Sequence, residues 1–223
     1  MHPRYERNIP ALSEEECGIL LGKRVLVVGC GGLGGHLIDM LARIGIGALR
    51  VVDGDVFEPS NLNRQLLSEV PLLGVSKAKA AAERVSRVNP ELSVEAADSF
   101  LTEENVHSLL QSCDVVLDGL DNIESRRILA KECARAGIPY IYGAVNGWVA
   151  QAAISMPGDH LVEMLYPEGA VIKNKSVLSF TPALCASMQV ALCVKLLTGR
   201  MAETGTLYYF DLLNQEFESI PMV

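Results

Sequence analysis

Glycine dominates the first stretch of this sequence that could do chemistry, because residues 29–35 contain five glycines. An apolar, β-branched run precedes them at 25–28, and apolar residues at helical spacing follow over 33–44, which predicts a buried strand, a tight turn and a helix. The first turn of a helix has unpaired N–H groups and the positive end of the helix dipole, and glycine lets a ligand approach the backbone closely. The stretch therefore predicts a phosphate-binding site.

A carboxylate follows the glycine turn at the distance typical of nucleotide-binding folds. Asp53 ends the next predicted strand, 48–53, about 20 positions beyond the turn, where such folds hydrogen-bond a ribose hydroxyl. Together with Gly29, Gly31 and Gly34 it completes the generic dinucleotide fingerprint. At this point an NAD-dependent dehydrogenase is an open interpretation.

Two cations close in sequence to the turn are candidates for binding the phosphates. Arg64 lies beside Gln65 in a segment, 58–67, whose start has no helical or strand periodicity and is rich in side chains that bind their own backbone. Lys77 opens the next predicted helix, 76–88. In many proteins such charges are only surface residues, but their closeness to a phosphate turn favours a binding role.

Another pair of polar side chains follows the predicted strand 114–118, whose continuous apolar residues are typical of a parallel sheet covered on both faces. Asp121 and Asn122 come directly after it. Because ligands of a doubly wound sheet lie beyond the carboxyl ends of the strands, Asp121 could hold a magnesium ion. The alternative is that Asp121 or Asn122 only caps the following helix, 124–136.

The elements that must position these residues predict an α/β fold, a Rossmann-like, mainly parallel sheet with helices on both faces. The parallel part is completed by a predicted strand, helix and strand at 92–96, at 102–111 with Thr102 as its N-cap, and at 140–144. After 144 the pattern changes, since strands are no longer followed by helices. We expect antiparallel strands at 148–156, 206–211 and 215–220 to continue the sheet, with a buried helix at 182–197 capped by Thr181.

A chain of 223 residues with 49% hydrophobic residues suits one domain with a sizeable core. We divide it into an N-terminal arm and helix, 1–22, a nucleotide-binding part, 23–145, and a C-terminal part, 146–223, for binding a partner or forming a dimer. Ser13, with Glu16 three positions later, predicts a capping box that opens the helix of the arm.

Charge, cysteine use and hydropathy narrow the function classes. The net charge of −8 argues against a protein that wraps nucleic acid, which needs a basic face. The six cysteines are scattered without a CxxC pair, which favours a reducing cytoplasm and a role as small core residues. The polar start predicts no signal peptide, and we expect no apolar run of the roughly 18 residues that a membrane span needs.

Taken together, these stretches resemble the ThiF/MoeB/HesA family, bacterial relatives of ubiquitin-activating enzymes, over nearly the whole chain. The glycine motif alone is weak evidence, but the SNLNRQ stretch, the lysine and the DxxDN motif at these intervals are specific together. The residues that carry the resemblance are Arg4-Tyr5-x-Arg7, Gly29-x-Gly31-Gly32-Leu33-Gly34, Asp53-x-Asp55, Ser60-Asn61-Leu62-Asn63-Arg64-Gln65, Lys77 and Asp118-x-x-Asp121-Asn122.

The resemblance implies ATP and magnesium as cofactors. It further implies a reaction in which the C-terminal carboxylate of a small ubiquitin-like sulfur-carrier protein, ending in Gly-Gly, attacks the α-phosphate and releases pyrophosphate. Such a reaction serves sulfur transfer in thiamine or molybdopterin and tungsten cofactor synthesis. The implied roles are nucleotide contact for Gly32, ribose binding for Asp53, triphosphate binding for Asn61, Arg64 and Lys77, magnesium binding for Asp121, and for Arg7 a reach into the other subunit's site of a homodimer.

Two departures from the family pattern bear on cofactors and partners. Many members bind a structural zinc through two CxxC pairs, which this sequence lacks, so we predict no zinc site. Some relatives place a cysteine before the position of Thr181 to accept the activated carrier, whereas here the nearest is Cys185, inside a predicted buried helix. We therefore expect the chain to stop at the acyl-adenylate, with a separate sulfurtransferase continuing.

Three alternatives remain open at this stage. The same site could adenylate the carboxylate of a modified tRNA base or of a peptide. The glycine turn could serve an NAD-dependent oxidoreductase, although Arg64 and Lys77 would be superfluous for NAD. The protein could also bind nucleotide as a scaffold without turnover.

Overall fold

A computed structural model describes residues 2–172 and 176–222. Within this part of the chain, eight strands form one sheet. They are β1 (Arg24–Val28), β2 (Ala48–Val52), β3 (Ser93–Ala97), β4 (Val115–Asp118), β5 (Tyr140–Asn146), β6 (Val149–Ser155), β7 (Thr206–Asp211) and β8 (Glu216–Pro221).

The sheet changes from parallel to antiparallel along its width. Its strand order is β3-β2-β1-β4-β5-β6-β7-β8, and the pairs from β3 to β5 are parallel whereas β5–β6, β6–β7 and β7–β8 are antiparallel. The predicted α/β fold class, with antiparallel strands continuing a parallel sheet, is confirmed. Strands β2 and β3 lie on one side of β1, and β4 and β5 lie on the other. This switch in strand order leaves a crevice at the carboxyl ends of β1 and β4.

The described helices cover both faces of the sheet. They are α1 (Glu14–Leu21), α2 (Gly32–Ile44), α3 (Lys77–Val88), α4 (Val106–Leu109), α5 (Ile123–Ala136), α6 (Leu161–Leu165) and α7 (Phe180–Leu197). Residues of α2, α3 and α7 pack on one face, around Leu37, Val85 and Val190, and residues of α4, α5 and α6 pack on the other, around Leu129 and Leu161. The capping box of Ser13 and Glu16 is present at the start of α1.

Three local predictions were wrong. The helix predicted over 102–111 is only Val106–Leu109, because Thr102 and Asn105 exchange side-chain to backbone hydrogen bonds of 2.9 and 3.3 Å that hold a turn before it. Thr181 does not cap α7 but lies inside it, where its hydroxyl donates to the Gly147 carbonyl at 2.8 Å. The helix α6 falls between the strand predicted at 148–156 and the helix predicted at 182–197, where the sequence pattern predicted no element.

The expectation of no apolar run long enough to cross a membrane was also wrong. The helix α7 has 18 residues and a mean hydropathy of 1.6, enough for a span by length and composition. However, α7 packs on α2 and on strands β5 and β6. Of its 18 residues 44% are buried, and Cys185, Val190 and Cys193 belong to the core. These contacts are those of a core helix, which passes the same test.

Candidate active site

One cavity of about 740 Å³ opens along the carboxyl ends of the parallel strands and continues beside β6 and β7. Its size falls within the usual range for small-molecule sites. We call the part beside the glycine turn, Asp53 and Lys77 the nucleotide lobe, and the part beside Asn146, Gln151 and Tyr209 the tail lobe.

The glycine turn forms the floor of the nucleotide lobe. Gly29 has φ of 93°, and a Cβ there would lie 2.5 Å from the carbonyl oxygen of Gly119, so this position requires glycine. Gly31 is the N-cap of α2 and brings no side-chain oxygen to the first-turn N–H groups, which stay available for an anion. Both residues and Gly32 line the cavity.

Gly34 does not line the cavity. A Cβ at this position would lie 1.7 Å from the carbonyl oxygen of Gly29, so glycine is needed here for the close packing of α2 against the turn. Its predicted part in nucleotide binding is therefore indirect.

Asp53 lines the nucleotide lobe and also braces the turn. One carboxylate oxygen accepts from the N–H of Cys30 at 2.7 Å and the other from the N–H of Asp55 at 2.8 Å. Burial raises the pKa of the Asp53 carboxyl, although these two N–H groups oppose the shift. The carboxylate is held at the end of β2, facing the space where a ribose would lie.

Lys77 is a buried cation that lines the nucleotide lobe. It is only 7% exposed, its ammonium group lies 3.1 Å from a carboxylate oxygen of Asp55, and its backbone N–H donates to the Asp55 carbonyl at 2.9 Å. Its position at the first residue of α3 follows from Ser76, whose hydroxyl caps the helix. Lys77 and Asp55 both line the cavity.

The loop after β2 brings Arg64 and Gln65 to the cavity lining beside the glycine turn. The Arg64 guanidinium donates to the carbonyl of Ser60 at 2.8 Å and to the side chain of Asn63 at 2.9 Å. The side-chain oxygen of Gln65 is buried with no hydrogen-bond partner among the described residues. Asn61 lies outside the cavity lining, because its side chain accepts from the Glu58 N–H and shapes the loop.

Both members of the polar pair after β4 line the cavity. The Asn122 side chain accepts from the N–H of Ser125 at 2.8 Å, so Asn122 caps α5, as the alternative interpretation predicted. Asp121 is exposed at the lip of the nucleotide lobe. It can therefore present carboxylate oxygens to a ligand in the cavity.

Arg7 lies outside this cavity, on an exposed part of the N-terminal arm. The arm packs against the rest of the chain through Tyr5, which is buried and whose hydroxyl accepts from the side chain of Asn89 at 2.9 Å. The Arg4 guanidinium donates to the same Asn89 side chain. These contacts hold the arm against the ends of α2 and α3 and leave Arg7 facing outward.

Several lining residues were missed by the sequence analysis, above all Arg126 and Tyr166. Arg126 is 3% exposed and lies one helical turn after the Asn122 cap, on the side of α5 that faces the cavity. That spacing was a usable signal, because residues four apart share a helix face. Tyr166 had no comparable signal, since it follows a helix that the sequence did not predict.

The residues present fit ATP with magnesium. The uncapped amides of α2 and the cations Arg64 and Lys77 suit phosphates. The buried side-chain oxygen of Gln65, which has no hydrogen-bond partner in the described part of the chain, can accept from a ligand donor. Within residues 2–172 and 176–222, no three His, Cys, Asp or Glu side chains come together as a metal cluster. Magnesium commonly binds through one or two carboxylates plus substrate phosphates, a role that Asp121 can fill.

Comparison with known proteins settles the family. Residues 5–223 match the ThiF family. The chain belongs to the ThiF family. Curated relatives of this ThiF-family chain include the SAMP-activating enzyme E1 of Haloferax volcanii, 37% identical over 98% of this chain and 84% of the relative. The sulfur carrier protein ThiS adenylyltransferase of Bacillus subtilis is 32% identical over 86% of this chain and 59% of the relative.

The names of these relatives confirm the predicted enzyme class, a nucleotidyltransferase of the adenylyltransferase type, and disfavour the NAD-dependent oxidoreductase. The predicted resemblance to ThiF, MoeB and HesA is confirmed as well, since the vegetative HesA protein of Trichormus variabilis is 33% identical over 88% of this chain. The ThiF-family chain spans 84% of the length of the Haloferax relative and 76% of the HesA protein, but only 59% of the ThiS adenylyltransferase.

Solved structures show the same fold. The chain superposes on Escherichia coli MccB in complex with MccA-N7isoASN with a TM-score of 0.85 and 21% identity, covering 99% of this chain and 71% of MccB. It superposes on the Escherichia coli tRNA N6-threonylcarbamoyladenosine dehydratase with a TM-score of 0.76 and 24% identity, covering 88% and 94% of the two chains. At these identities the likeness concerns the fold alone.

Proposed function

We propose that this chain uses ATP and magnesium to adenylate the C-terminal carboxylate of a small ubiquitin-like sulfur-carrier protein ending in Gly-Gly, with release of pyrophosphate. The observation that carries the proposal is the pairing of two lobes in one cavity, one lined by cations and helix amides and the other by polar and aromatic side chains. Relatives named for activating SAMP and ThiS support the same substrate class.

The nucleotide lobe suits displacement at a phosphate. The amides at the start of α2 and the cations Arg64 and Lys77 can bear the charge that accumulates on the phosphates as pyrophosphate leaves. Asp53 suits the ribose, and magnesium held by Asp121 would neutralise phosphate charge and orient the leaving group. The carboxylate that attacks is already ionised at neutral pH, so the reaction needs no general base.

The tail lobe suits an extended chain end. Gln151 and Tyr209 are directly paired across β6 and β7, and the Gln151 side chain accepts from the Tyr142 hydroxyl at 3.1 Å. Asn146 ends β5 beside them. These groups can hold peptide backbone while the terminal carboxylate reaches the nucleotide lobe.

We infer that the active form is a homodimer in which Arg7 enters the partner's site. In support, an apolar surface remains open beside α7: the rings of Trp148 and Phe180 lie 5.0 Å apart, and the two residues are 43% and 44% exposed. Phe217, 63% exposed, lies two strands away from β6, on β8. Exposed aromatic clusters of this kind mark protein interfaces.

The shared site can be tested by mixing two inactive variants. In a homodimer with Arg7 in trans, Arg7→Ala and Arg64→Ala subunits should form hybrids that contain one complete site, so mixing and re-equilibrating the two variants restores activity. Sedimentation measures the dimer in parallel. Two variants that stay inactive when mixed, although hybrids form, would contradict the shared site.

We propose that the reaction ends at the acyl-adenylate and that a separate sulfurtransferase follows, in the cytoplasm and within thiamine or molybdopterin-type cofactor synthesis. Cys185 is fully buried, its thiol donates to the Gln151 carbonyl at 3.2 Å, and burial raises its pKa to about 12. A buried, protonated thiol is a poor acceptor for an activated carrier. These facts favour a structural role for Cys185.

Exchange of labelled pyrophosphate into ATP tests the proposal. We expect exchange only when a small carrier ending in Gly-Gly is added, and none with the same carrier lacking its last glycine. A short peptide or a tRNA carrying a carboxylate serves as a comparison for the alternative substrates. Protein that binds ATP but exchanges no pyrophosphate with any such carrier would overturn the proposal and favour a scaffold.

A further inference from the structure

A buried ion pair lies beneath the lip of the nucleotide lobe. The guanidinium of Arg126 is 3.3 Å from a carboxylate oxygen of Asp118, and both side chains are buried. Asp118 ends β4 and Arg126 lies in the first turns of α5, so the pair spans the loop that carries Asp121. The adenylation chemistry described above gives this pair no role.

The pair holds both polar backbone groups of one residue. The other carboxylate oxygen of Asp118 accepts from the N–H of Leu120 at 2.8 Å, and the Arg126 guanidinium donates to the Leu120 carbonyl. The peptide bond of that carbonyl leads directly into Asp121. Since the peptide unit is planar, fixing the Leu120 carbonyl fixes the direction in which the Asp121 backbone begins.

Aromatic side chains hold the pair in place from below. The Tyr140 hydroxyl donates to the Asp118 carboxylate. The guanidinium carbon of Arg126 lies 5.0 Å from the ring centre of Tyr142 and 5.8 Å from that of Tyr166. Stacking on two rings restricts the guanidinium plane and so the direction of its N–H groups.

The energetics of the pair favour a positioning role over one in stability. Buried ion pairs are often no more stabilising than apolar side chains of similar volume, because both charges lose their hydration. In addition, the Nε atom of Arg126 is buried without a hydrogen-bond partner among the described residues, which is a further cost. What the pair does provide is fixed geometry, because it holds both polar backbone groups of Leu120.

We propose that Asp118 and Arg126 form a positioning pair that fixes the Leu120 peptide and thereby aims the Asp121 carboxylate at the metal bound to ATP. The inference rests on the proposed function, because it takes ATP with a divalent cation as the ligand. It assigns the pair an effect on metal-dependent binding of ATP, separate from binding of ATP alone.

Calorimetric titration with ATP, once in EDTA and once in excess Mg²⁺, tests this pair. Arg126→Lys keeps a positive charge beside Asp118 but loses the planar fork that reaches the Leu120 carbonyl. We expect its affinity for ATP in EDTA to match the wild type, and its affinity in Mg²⁺ to fall by about 10- to 100-fold, as for other groups that orient a metal ligand.

Arg127→Lys is the matched control. The Arg127 guanidinium donates to the carbonyls of Tyr166 and Pro167 at 2.7 and 2.8 Å, so it holds the same neighbouring segment as Arg126 does. Unlike Arg126, it makes no hydrogen bond to Leu120 among the described residues. We expect this variant to keep the wild-type difference between Mg²⁺ and EDTA. An equal metal-dependent loss in Arg127→Lys would overturn the proposal.

Loss of ATP affinity in Arg126→Lys to the same extent with and without Mg²⁺ would also overturn it, since that result is expected of a purely structural residue. If Arg126→Lys does not fold, the double variant Asp118→Asn, Arg126→Gln, which leaves neither charge buried alone, gives the same comparison. Wild-type protein that fails to bind ATP under either condition would overturn the proposed function and not the pair alone.

Discussion

The two lobes of the cavity are built differently. In the nucleotide lobe, the turns after β1, β2 and β4 supply amides and carboxylates, whereas the cations Arg64 and Lys77 come from the loop after β2 and from the start of α3. Asp53, Lys77 and Asn122 each bond to a nearby turn or helix start. In the tail lobe, side chains such as Gln151 and Tyr209 project from antiparallel strands that meet only through the sheet.

This difference separates chemistry from recognition. Charges held by such local hydrogen bonds and ion pairs keep their positions before the ligand arrives, which is what stabilisation of developing charge requires. Side chains on a sheet surface offer shape and hydrogen bonds to whatever chain lies across them. Substitutions in the nucleotide lobe should therefore change the rate of the chemical step, and those in the tail lobe the affinity for the carrier.

The largest expected effect is in the nucleotide lobe. Arg64→Ala should lower the rate of pyrophosphate exchange by about 10²–10³, the usual cost of losing one preorganised donor to transition-state charge. Arg135→Ala, at the exposed end of α5, is the control and should exchange at the wild-type rate. A mild loss in Arg64→Ala would count heavily against the assignment of this lobe to the triphosphate.

Next in size is the glycine turn. Gly29→Ala combines a left-handed backbone with a Cβ 2.5 Å from a carbonyl oxygen, whereas Gly137→Ala has a similar φ of 71° and no atom within 4 Å among those described. The control should lose about 1–2 kcal/mol in the free energy of unfolding, the cost of the backbone conformation. Gly29→Ala should lose clearly more free energy of unfolding, measured by denaturant titration. Equal losses in the two variants would contradict the expectation that the Cβ at position 29 cannot be accommodated beside the Gly119 carbonyl.

A tail-lobe substitution should act on the carrier alone. Tyr209→Ala removes an aromatic surface from the lobe, so the KM for the carrier should rise roughly tenfold or more while the KM for ATP stays unchanged. Tyr208→Ala is the control, because Tyr208 points to the other face of β7 and packs with the α7 side of the core. A rise in the KM for ATP in Tyr209→Ala would contradict the assignment of the tail lobe to carrier binding alone.

The smallest expected effect is at Cys185. Because burial raises its pKa to about 12, the thiolate fraction at pH 8 is on the order of 10⁻⁴, and alkylation should accelerate with rising pH throughout the range below that pKa. Cys185→Ala should exchange pyrophosphate at the wild-type rate. Rapid alkylation of Cys185 near neutral pH, mapped by peptide mass spectrometry and accompanied by loss of activity, would contradict its structural role.

Most of the nucleotide lobe could be predicted from the sequence because its signals are local. Glycines before a helical pattern place the turn, and Asp53, Lys77 and Asp121 follow strand ends or helix starts that hydropathy reveals. Asn61 and Gly34 were assigned to the ligand but lie behind the lining, since a motif does not say which members face the cavity and which shape the loop.

The tail lobe and the aromatic surroundings of Arg126 could not be predicted in the same way. Arg126 contacts Tyr166, 40 residues away along the chain, and Gln151 meets Tyr209 across 58 residues, so only the assembled sheet brings them together. The residue type of Thr181 predicts a helix cap, yet in the folded chain its hydroxyl donates to the Gly147 carbonyl, which follows β5. Residue type and spacing carry no record of such distant partners.

Transfer of labelled AMP to the carrier tests the central claim most directly. ATP labelled at the α-phosphate and ATP labelled at the γ-phosphate are incubated separately with the protein, magnesium and a carrier ending in Gly-Gly, and the products are separated under acidic conditions. We predict that the α label appears on the carrier and the γ label in pyrophosphate. A γ label on the carrier, or no carrier label from either nucleotide, would contradict adenylation at this site.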